Sequence, residues 1–297
     1  MSTASERTIQ ALEHVVKQVP VGTNLALLHL LWAILSGAFL SSRAAVFPAL
    51  KLAGFTVSQI RRCGQALRGG AWDIAELVSS WREYVLSQDE WQPHCYEGDR
   101  PLAVDLTTFW RPRLKGGPGK FFHQIANRAM KGIGVGLIVP VGSVGEQRVP
   151  FITRIICARA ADRRDSQLKQ RVLRSARGCL GEPEVLVHDA GASMADLQAS
   201  GIERYVVRLA LNWTARRNEL PPGKAKGRPP EYGKLIRPLD RKWKDRTLPA
   251  SPPDVETHFR FQERTMRVHG WRDVVRADQK VAADNATHSI WVFVDPV

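Results

Sequence analysis

The chain has 297 residues, 44% of them hydrophobic, which is enough for one large domain or two ordinary ones and excludes general disorder. With 43 Lys and Arg against 29 Asp and Glu, the formal net charge of +14 favours a polyanionic partner, most simply nucleic acid. Four scattered cysteines without a CxxC pair argue against a zinc ribbon or a disulfide framework, and they predict reduced thiols.

Residues 1–97 are predicted to form a helical domain. An amphipathic helix over residues 6–19 ends before Pro20, and Thr23 or Asn24 is predicted to cap the apolar helix that follows. The apolar run at 25–40 is shorter than a typical membrane span, so it predicts a buried helix and no membrane partner. The first twenty residues lack the layout of a signal peptide, which predicts a cytoplasmic, nucleoid-associated protein.

Two more helices are predicted at residues 55–67 and 72–86. The first should begin at Thr56 or Ser58 and expose Arg61 and Arg62. A helix with exposed arginines suits a DNA groove, but a solvated basic face is an equal alternative.

From Gly98 the pattern changes to strands. Around Asp105, Leu102 and Val104 alternate with small or polar residues, so the carboxylate stands on the face opposite an apolar one. A carboxylate in a buried strand needs a cation or hydrogen-bond donors, although a lone Asp at a strand end more often caps a turn. A second strand of the same kind, at 184–191, delivers His188 and Asp189 to its C-terminal end and favours a functional carboxylate over a turn cap.

The segment between these strands predicts the rest of a sheet and its covering helix. Strands at 132–141 and 147–157 are separated by a hairpin loop, and an amphipathic outer helix is predicted over 163–180. A short helix at 194–200 and a strand at 204–211 follow the second Asp. The alternating glycines at 132–136 precede no helix, so they indicate close packing and not a nucleotide-binding loop.

A loop rich in Gly and Pro, residues 113–124, follows the first strand, and its composition predicts irregular structure. Its cations lie beside aromatic residues, which suits phosphate contact with base stacking, while a basic turn without nucleic acid is an equal alternative. The four candidate DNA-binding residues are Arg111, Arg113, Lys115 and Lys120.

A second basic segment spans residues 208–246 and holds 12 cations against 4 acids. Trp213, Tyr232 and Trp243 are interleaved with the cations, which favours DNA contact over a solvated linker. The candidate DNA-binding residues here are Arg208, Arg216, Arg217, Lys224, Lys226 and Arg228.

The sequence AVDLTTFW, followed by VLVHDAGASMADLQASGIERYVVRLALN, resembles the DDE transposases of bacterial insertion sequences over residues 98–297. In that family a short helix and a strand of Y-V-x-R type follow the second Asp, and residues 205–208 match this strand. The resemblance implies an α/β fold: an RNase H-like mixed sheet at 98–212, an N-terminal helical domain at 1–97, and a basic, β-rich insertion region at 213–297.

The resemblance also implies a chemistry. Asp105 and Asp189 would be the catalytic, metal-binding carboxylates of a two-metal site for Mg²⁺ or Mn²⁺, used for phosphodiester hydrolysis and strand transfer at the ends of the element. The implied partners are double-stranded DNA, as element ends and target, and a second copy of the chain on paired ends. Two carboxylates at one site repel each other unless a metal or a cation such as Arg208 lies near.

Two departures from the family pattern stand out. Ala190 occupies the position where many relatives carry Arg, and no late helix supplies the third acid, since Glu256 and Glu263 lie in strand-like surroundings. These departures predict weak activity, as for a truncated copy. The alternative function is a non-catalytic DNA-binding transposase remnant that regulates or inhibits transposition. His188 is expected to be a strand-end side chain without a catalytic part.

Overall fold

Short polar side chains determine where several of the N-terminal helices begin. Thr3 and Thr56 each accept a hydrogen bond from the backbone N–H three residues on, and the side-chain oxygens of Glu6 and Gln59 each accept one from the backbone N–H of the cap residue. The helices are α1 (Ala4–Val16), α2 (Thr23–Leu35), α3 (Ala38–Ser41), α4 (Val46–Leu52), α5 (Val57–Gly69), α6 (Ile74–Ser87), α7 (Asp165–Arg177) and α8 (Met194–Ala199). The predicted helix start at Thr56 and the exposure of Arg61 and Arg62 are confirmed.

The predicted cap of the apolar helix is wrong. Gly22, at φ +90°, occupies the cap position of α2 and no side chain caps the helix there. Glycine adopts this backbone conformation without strain, so the helix begins one residue earlier than a Thr23 cap would allow. The Asn24 side chain instead accepts hydrogen bonds from the backbone N–H groups of Gly22 and Leu25.

The computed structural model describes residues 3–42, 45–111, 113, 119–123, 125–159, 161–162, 164–189, 191–219, 233–261, 263–276 and 288–296. The strands are β1 (Trp91–Pro93), β2 (Arg100–Trp110), β3 (Lys120–His123), β4 (Arg128–Pro140), β5 (Gly142–Val144), β6 (Gln147–Arg148), β7 (Arg154–Cys157), β8 (Glu184–His188), β9 (Tyr205–Val207), β10 (Ala215–Arg217), β11 (Leu235–Ile236), β12 (Arg241–Trp243), β13 (Arg246–Leu248), β14 (Val255–Phe261), β15 (Arg264–Arg276) and β16 (His288–Pro296).

The chain divides into two compact units, Met1–Arg208 and Leu209–Val297. The first unit contains the helices and a mixed sheet in which β4, β2, β8 and β9 are neighbours in that order. Strand β2 runs antiparallel to β4 and parallel to β8, and β9 is parallel to β8. Strands β3 and β7 both pair with β4. The prediction of a mixed α/β fold is confirmed.

Helix α7 covers one face of this sheet. Its residues Leu168, Val172 and Leu173 are buried in one core with Val104 and Leu186 of the strands. A Cβ atom added to Gly136 would lie 2.1 Å from Cγ2 of Val172, so the helix approaches β4 as closely as a glycine permits. Close packing, the predicted reason for these glycines, is therefore confirmed at β4.

Two strand predictions need correction. Residues Lys120–His123 were expected in an irregular loop but form β3, because Phe121 is buried under α7 and the backbone pairs with β4. The strand expected over 147–157 is split into β6 and β7, since Pro150 lies between them and has no N–H to donate to a ladder.

The second unit is built on a five-stranded antiparallel sheet of β10, β11, β14, β15 and β16, as the strand-like patterns predict. The fully buried Trp271 lies at the centre of its core and donates from Nε1 to the Pro252 carbonyl at 2.9 Å. Strands β12 and β13 form a separate hairpin. All four cysteines are free, as predicted, and no helix of the described residues is long and apolar enough to cross a membrane.

Candidate active site

Asp105 lies in the middle of β2, opposite Leu137 of β4. Leu102 and Val104, which precede it on the strand, are buried in the core that α7 covers, whereas Asp105 is exposed. The expectation that a buried carboxylate had to be neutralised is therefore wrong, because water solvates this group. One oxygen, Oδ1, accepts the backbone N–H of Leu106 at 2.8 Å.

Asp189 follows the last residue of β8 and is also exposed. The guanidinium Nη1 of Arg208 lies 3.4 Å from Asp189 Oδ1. The backbone N–H of Arg208 donates to the His188 carbonyl at 3.1 Å, which holds Arg208 beside the end of β8. Arg208 is therefore a cation that reduces the repulsion between the two carboxylates.

The parallel pairing of β2 with β8 brings the two aspartates together. Val104 pairs with His188, so the residues that follow them, Asp105 and Asp189, are the next neighbours along the two chains. Neighbouring strands lie about 4.8 Å apart, and both members of the last pair, Val104 and His188, are buried. The two carboxylates therefore occupy adjacent positions on the exposed face, although they are far apart in sequence.

His188 supports the turn that carries Asp189. Its ring is buried, and Nδ1 lies 2.8 Å from the backbone carbonyl oxygen of Asp189. Because a carbonyl can only accept, Nδ1 carries the hydrogen in this contact. Nε2 has no hydrogen-bond partner within the described part of the chain. The sequence pattern placed His188 at the strand end but gave no sign of this contact.

The donor set of the site fits a hard divalent cation. Magnesium and manganese prefer oxygen ligands, and both aspartates present carboxylate oxygens to solvent. Asp105 and Asp189 are the residues that would hold such an ion. Across the described ranges, no group of three or more His, Cys, Asp or Glu side chains is arranged as a metal site.

The two late glutamates belong to the second unit. Glu256 lies on β14 opposite His269, with 3.4 Å between its Oε2 and the His269 Nε2. Glu263 lies in the turn between β14 and β15, at φ +64°.

The predicted DNA-binding residues have different environments. Arg111, Arg113, Lys120 and Arg208 are exposed, while Arg216 is half-buried and donates to the Gly233 carbonyl at 3.4 Å. Arg217 forms a two-pronged ion pair with Asp254, in which Nη1 donates to Oδ2 at 2.5 Å. The other four predicted DNA-binding residues lie outside the described residues: Lys115, Lys224, Lys226 and Arg228. Ala190 and Tyr232 also lie outside them.

The ion pair between Arg217 and Asp254 should make the stability of the fold depend on pH in the acid range. Hydrogen bonds from Arg217, with a further one from the Arg272 backbone at 2.9 Å, hold the pKa of Asp254 below its usual range. A depressed folded-state pKa stabilises the fold fully above the unfolded value of about 4, and this contribution is lost as pH falls through the folded pKa. We expect Arg217→Gln to raise the Asp254 pKa in a carboxyl NMR titration.

Arg246→Gln is the matched control, because it removes an equal charge from a residue outside this ion pair. The Asp254 pKa of Arg246→Gln should equal that of the wild type. An unchanged pKa in Arg217→Gln would show that the ion pair does not set it.

No family model matches the chain, and no curated protein matches it significantly.

Proposed function

We propose that the chain is a DDE-type DNA transposase that uses Asp105 and Asp189 for phosphodiester hydrolysis and strand transfer at the ends of an insertion sequence. The observation that carries this proposal is the parallel register of β2 and β8, which puts the two aspartates at adjacent, exposed positions.

The arrangement of the first unit supports an RNase H-like core. The strand order β7, β4, β2, β8, β9 has its antiparallel members on one side of β2 and its parallel members on the other. Helix α7 makes the crossover between β7 and β8. In such a core the first acid lies on the central strand and the second follows the neighbouring parallel strand.

The residues of the site have separable roles in this proposal. Divalent ions, when bound, activate the attacking water and stabilise the leaving oxygen. Asp105, fixed by the Leu106 N–H, and Asp189, fixed by the His188 ring, supply oxygen ligands. Arg208 offsets part of the charge on Asp189 and stands where it can contact a phosphate. The open face leaves room for a DNA backbone.

DNA is the proposed partner, with two copies of the chain on paired ends and the nucleoid as the location. The net charge of +14 supports attraction to a polyanion. Affinity for duplex DNA should then fall steeply with salt, because each contacted phosphate releases counterions.

A second candidate function is a non-catalytic DNA-binding protein that occupies element ends and inhibits transposition. The contact between Arg208 and Asp189 favours it, because a guanidinium there competes with a metal ion for a carboxylate oxygen. Both candidates predict DNA binding, and only the first predicts strand cleavage.

Incubation of the chain with supercoiled plasmid DNA, in Mg²⁺ or Mn²⁺, separates the two. The transposase proposal expects nicked and linear products that EDTA suppresses. Binding without any cleavage in either metal would overturn that proposal and leave the inhibitor, while binding that does not respond to salt would contradict both.

A further inference from the structure

A basic hairpin of the second unit forms a two-stranded sheet of its own. It consists of β12 and β13, joined by Lys244 and Asp245 in a tight turn. Residues 241–247 are all exposed, and Lys244 adopts φ +54° at the turn. We call residues 241–248 the basic hairpin.

The side chains of the basic hairpin divide between its two faces. Trp243 pairs with Arg246, and Arg241 lies two residues before Trp243 on the same strand. Alternation along a strand therefore puts Arg241, Trp243 and Arg246 on one face, and Lys242 on the other. Arg241 and Arg246 therefore flank the indole of Trp243 on its own face, and Lys242 lies on the opposite face.

Trp243 is 54% exposed although Trp has a large apolar surface. The Nζ of Lys244 lies 5.0 Å from the ring centroid, which holds a cation against the indole. The core of the second unit is built from other side chains, among them Trp271 and Ile290. The fold therefore does not account for this indole, and a binding partner that covers it would remove its apolar surface from water.

The cations of the basic hairpin are also free for a ligand. Within the described parts of the chain, no carboxylate forms an ion pair with Arg241, Lys242 or Arg246. The nearby Asp240 accepts the Ala250 backbone N–H at 2.7 Å. Four cations and one acid over residues 241–246 form a site that suits a polyanion.

We infer that the basic hairpin binds DNA at an unpaired base: the indole of Trp243 stacks on that base while Arg241, Lys242 and Arg246 contact the flanking phosphates. In a duplex the flat face of each base is covered by its neighbours, whereas a single strand or a frayed end exposes it. The inference rests on the proposed function only in taking DNA as the polyanion. It adds a preference for single-stranded DNA, at residues other than the aspartate pair.

The test is binding of the full chain to two fluorescein-labelled probes, a short oligothymidine and a blunt duplex, followed by fluorescence anisotropy in EDTA. We expect Trp243→Leu to weaken binding to oligothymidine about tenfold, which corresponds to the lower range of one base–aromatic stack, about 1–3 kcal/mol. Duplex binding should change by less than about twofold, because the duplex offers no free base face. Trp243→Phe keeps an aromatic ring and should restore most of the single-strand affinity.

The phosphate contacts are tested separately. The triple variant Arg241→Gln, Lys242→Gln, Arg246→Gln should weaken both probes and flatten the dependence of affinity on salt. Trp81→Leu is the matched control, since Trp81 is another partly exposed Trp, on α6 of the first unit. It should bind both probes like the wild type.

Two results would overturn the inference: oligothymidine affinity unchanged in Trp243→Leu, or an equal loss on both probes, which would mean that the indole supports phosphate contact and no stacking. The outcome is independent of catalysis because EDTA is present. A chain that cleaves no DNA but shows the Trp243 effect would contradict the transposase proposal alone.

Discussion

Replacement of Asp105 by Asn is expected to lower metal-dependent DNA cleavage by at least about a hundredfold. The substitution keeps the size of the side chain and removes one charged oxygen ligand, and even residues that only orient metal ligands are worth 10- to 100-fold. Asp105 is exposed and bonds only locally to the Leu106 N–H, so the fold should be unaffected. The measurement is the initial rate of plasmid nicking in Mn²⁺, with circular dichroism to check the fold.

Asp189→Asn should reduce cleavage to a similar extent, because both residues serve one site. Glu203→Gln removes an exposed carboxylate from the loop before β9 and should cleave at the wild-type rate. If Asp105→Asn cleaved DNA as fast as the Glu203→Gln control, the nicking would come from another site or from a contaminant.

The largest loss of stability should follow Gly136→Val. A Cβ at this position would lie 2.1 Å from Val172 Cγ2 and 3.1 Å from its Cγ1, and the buried Val172 has few rotamers available in a helix. Overpacking of a core usually costs about 1–3 kcal/mol, and a clash with a buried side chain that has few other rotamers belongs at the upper end. We expect a drop of about 3 kcal/mol in the free energy of unfolding, measured by urea denaturation.

A size-compensating pair distinguishes this clash from a general effect of losing glycine. Gly136→Ala combined with Val172→Ala should be more stable than Gly136→Ala alone, which gives a favourable coupling in the double-mutant cycle. Gly69→Ala is the control, because no atom lies within 4 Å of a Cβ there and alanine favours the helix. A wild-type unfolding midpoint in Gly136→Val would contradict the close approach of α7 to β4.

The clash also matters for the site. Gly136 pairs with Leu106, the residue next to Asp105, and α7 presses on both β4 and β2. A shift of α7 would therefore disturb the register that sets Asp105 beside Asp189. Partly folded Gly136 variants should lose cleavage along with stability.

The sequence predicts the strands that carry the two aspartates, but it does not predict whether these side chains are buried or exposed. Alternation around Asp105 and the apolar run before Asp189 predict the two strands, and the order of elements between them predicts a mixed sheet. Periodicity gives the face of a side chain but not what covers that face. Asp105 is exposed because α7 covers only the opposite face, which no local pattern around Asp105 reveals.

Contacts between distant residues also escape the sequence. Arg217 looks like other arginines in its basic segment. Its pairing with Asp254 arises because β15 pairs with both β10 and β14 and so brings the end of β10 beside the residue before β14. Phe121 was expected in a loop because Gly and Pro precede it, while burial under α7 draws it into β3. In both cases tertiary packing, and not local composition, determines the partner or the secondary structure of the residue.

The most direct test of the central claim, that Asp105 and Asp189 form one divalent-cation site, is Mn²⁺ binding measured by electron paramagnetic resonance on the full chain. We predict that Asp105→Asn and Asp189→Asn each weaken binding at least about tenfold, that the double variant weakens it little further, and that Glu256→Gln binds like the wild type. Wild-type Mn²⁺ affinity in both single Asn variants would contradict the claim.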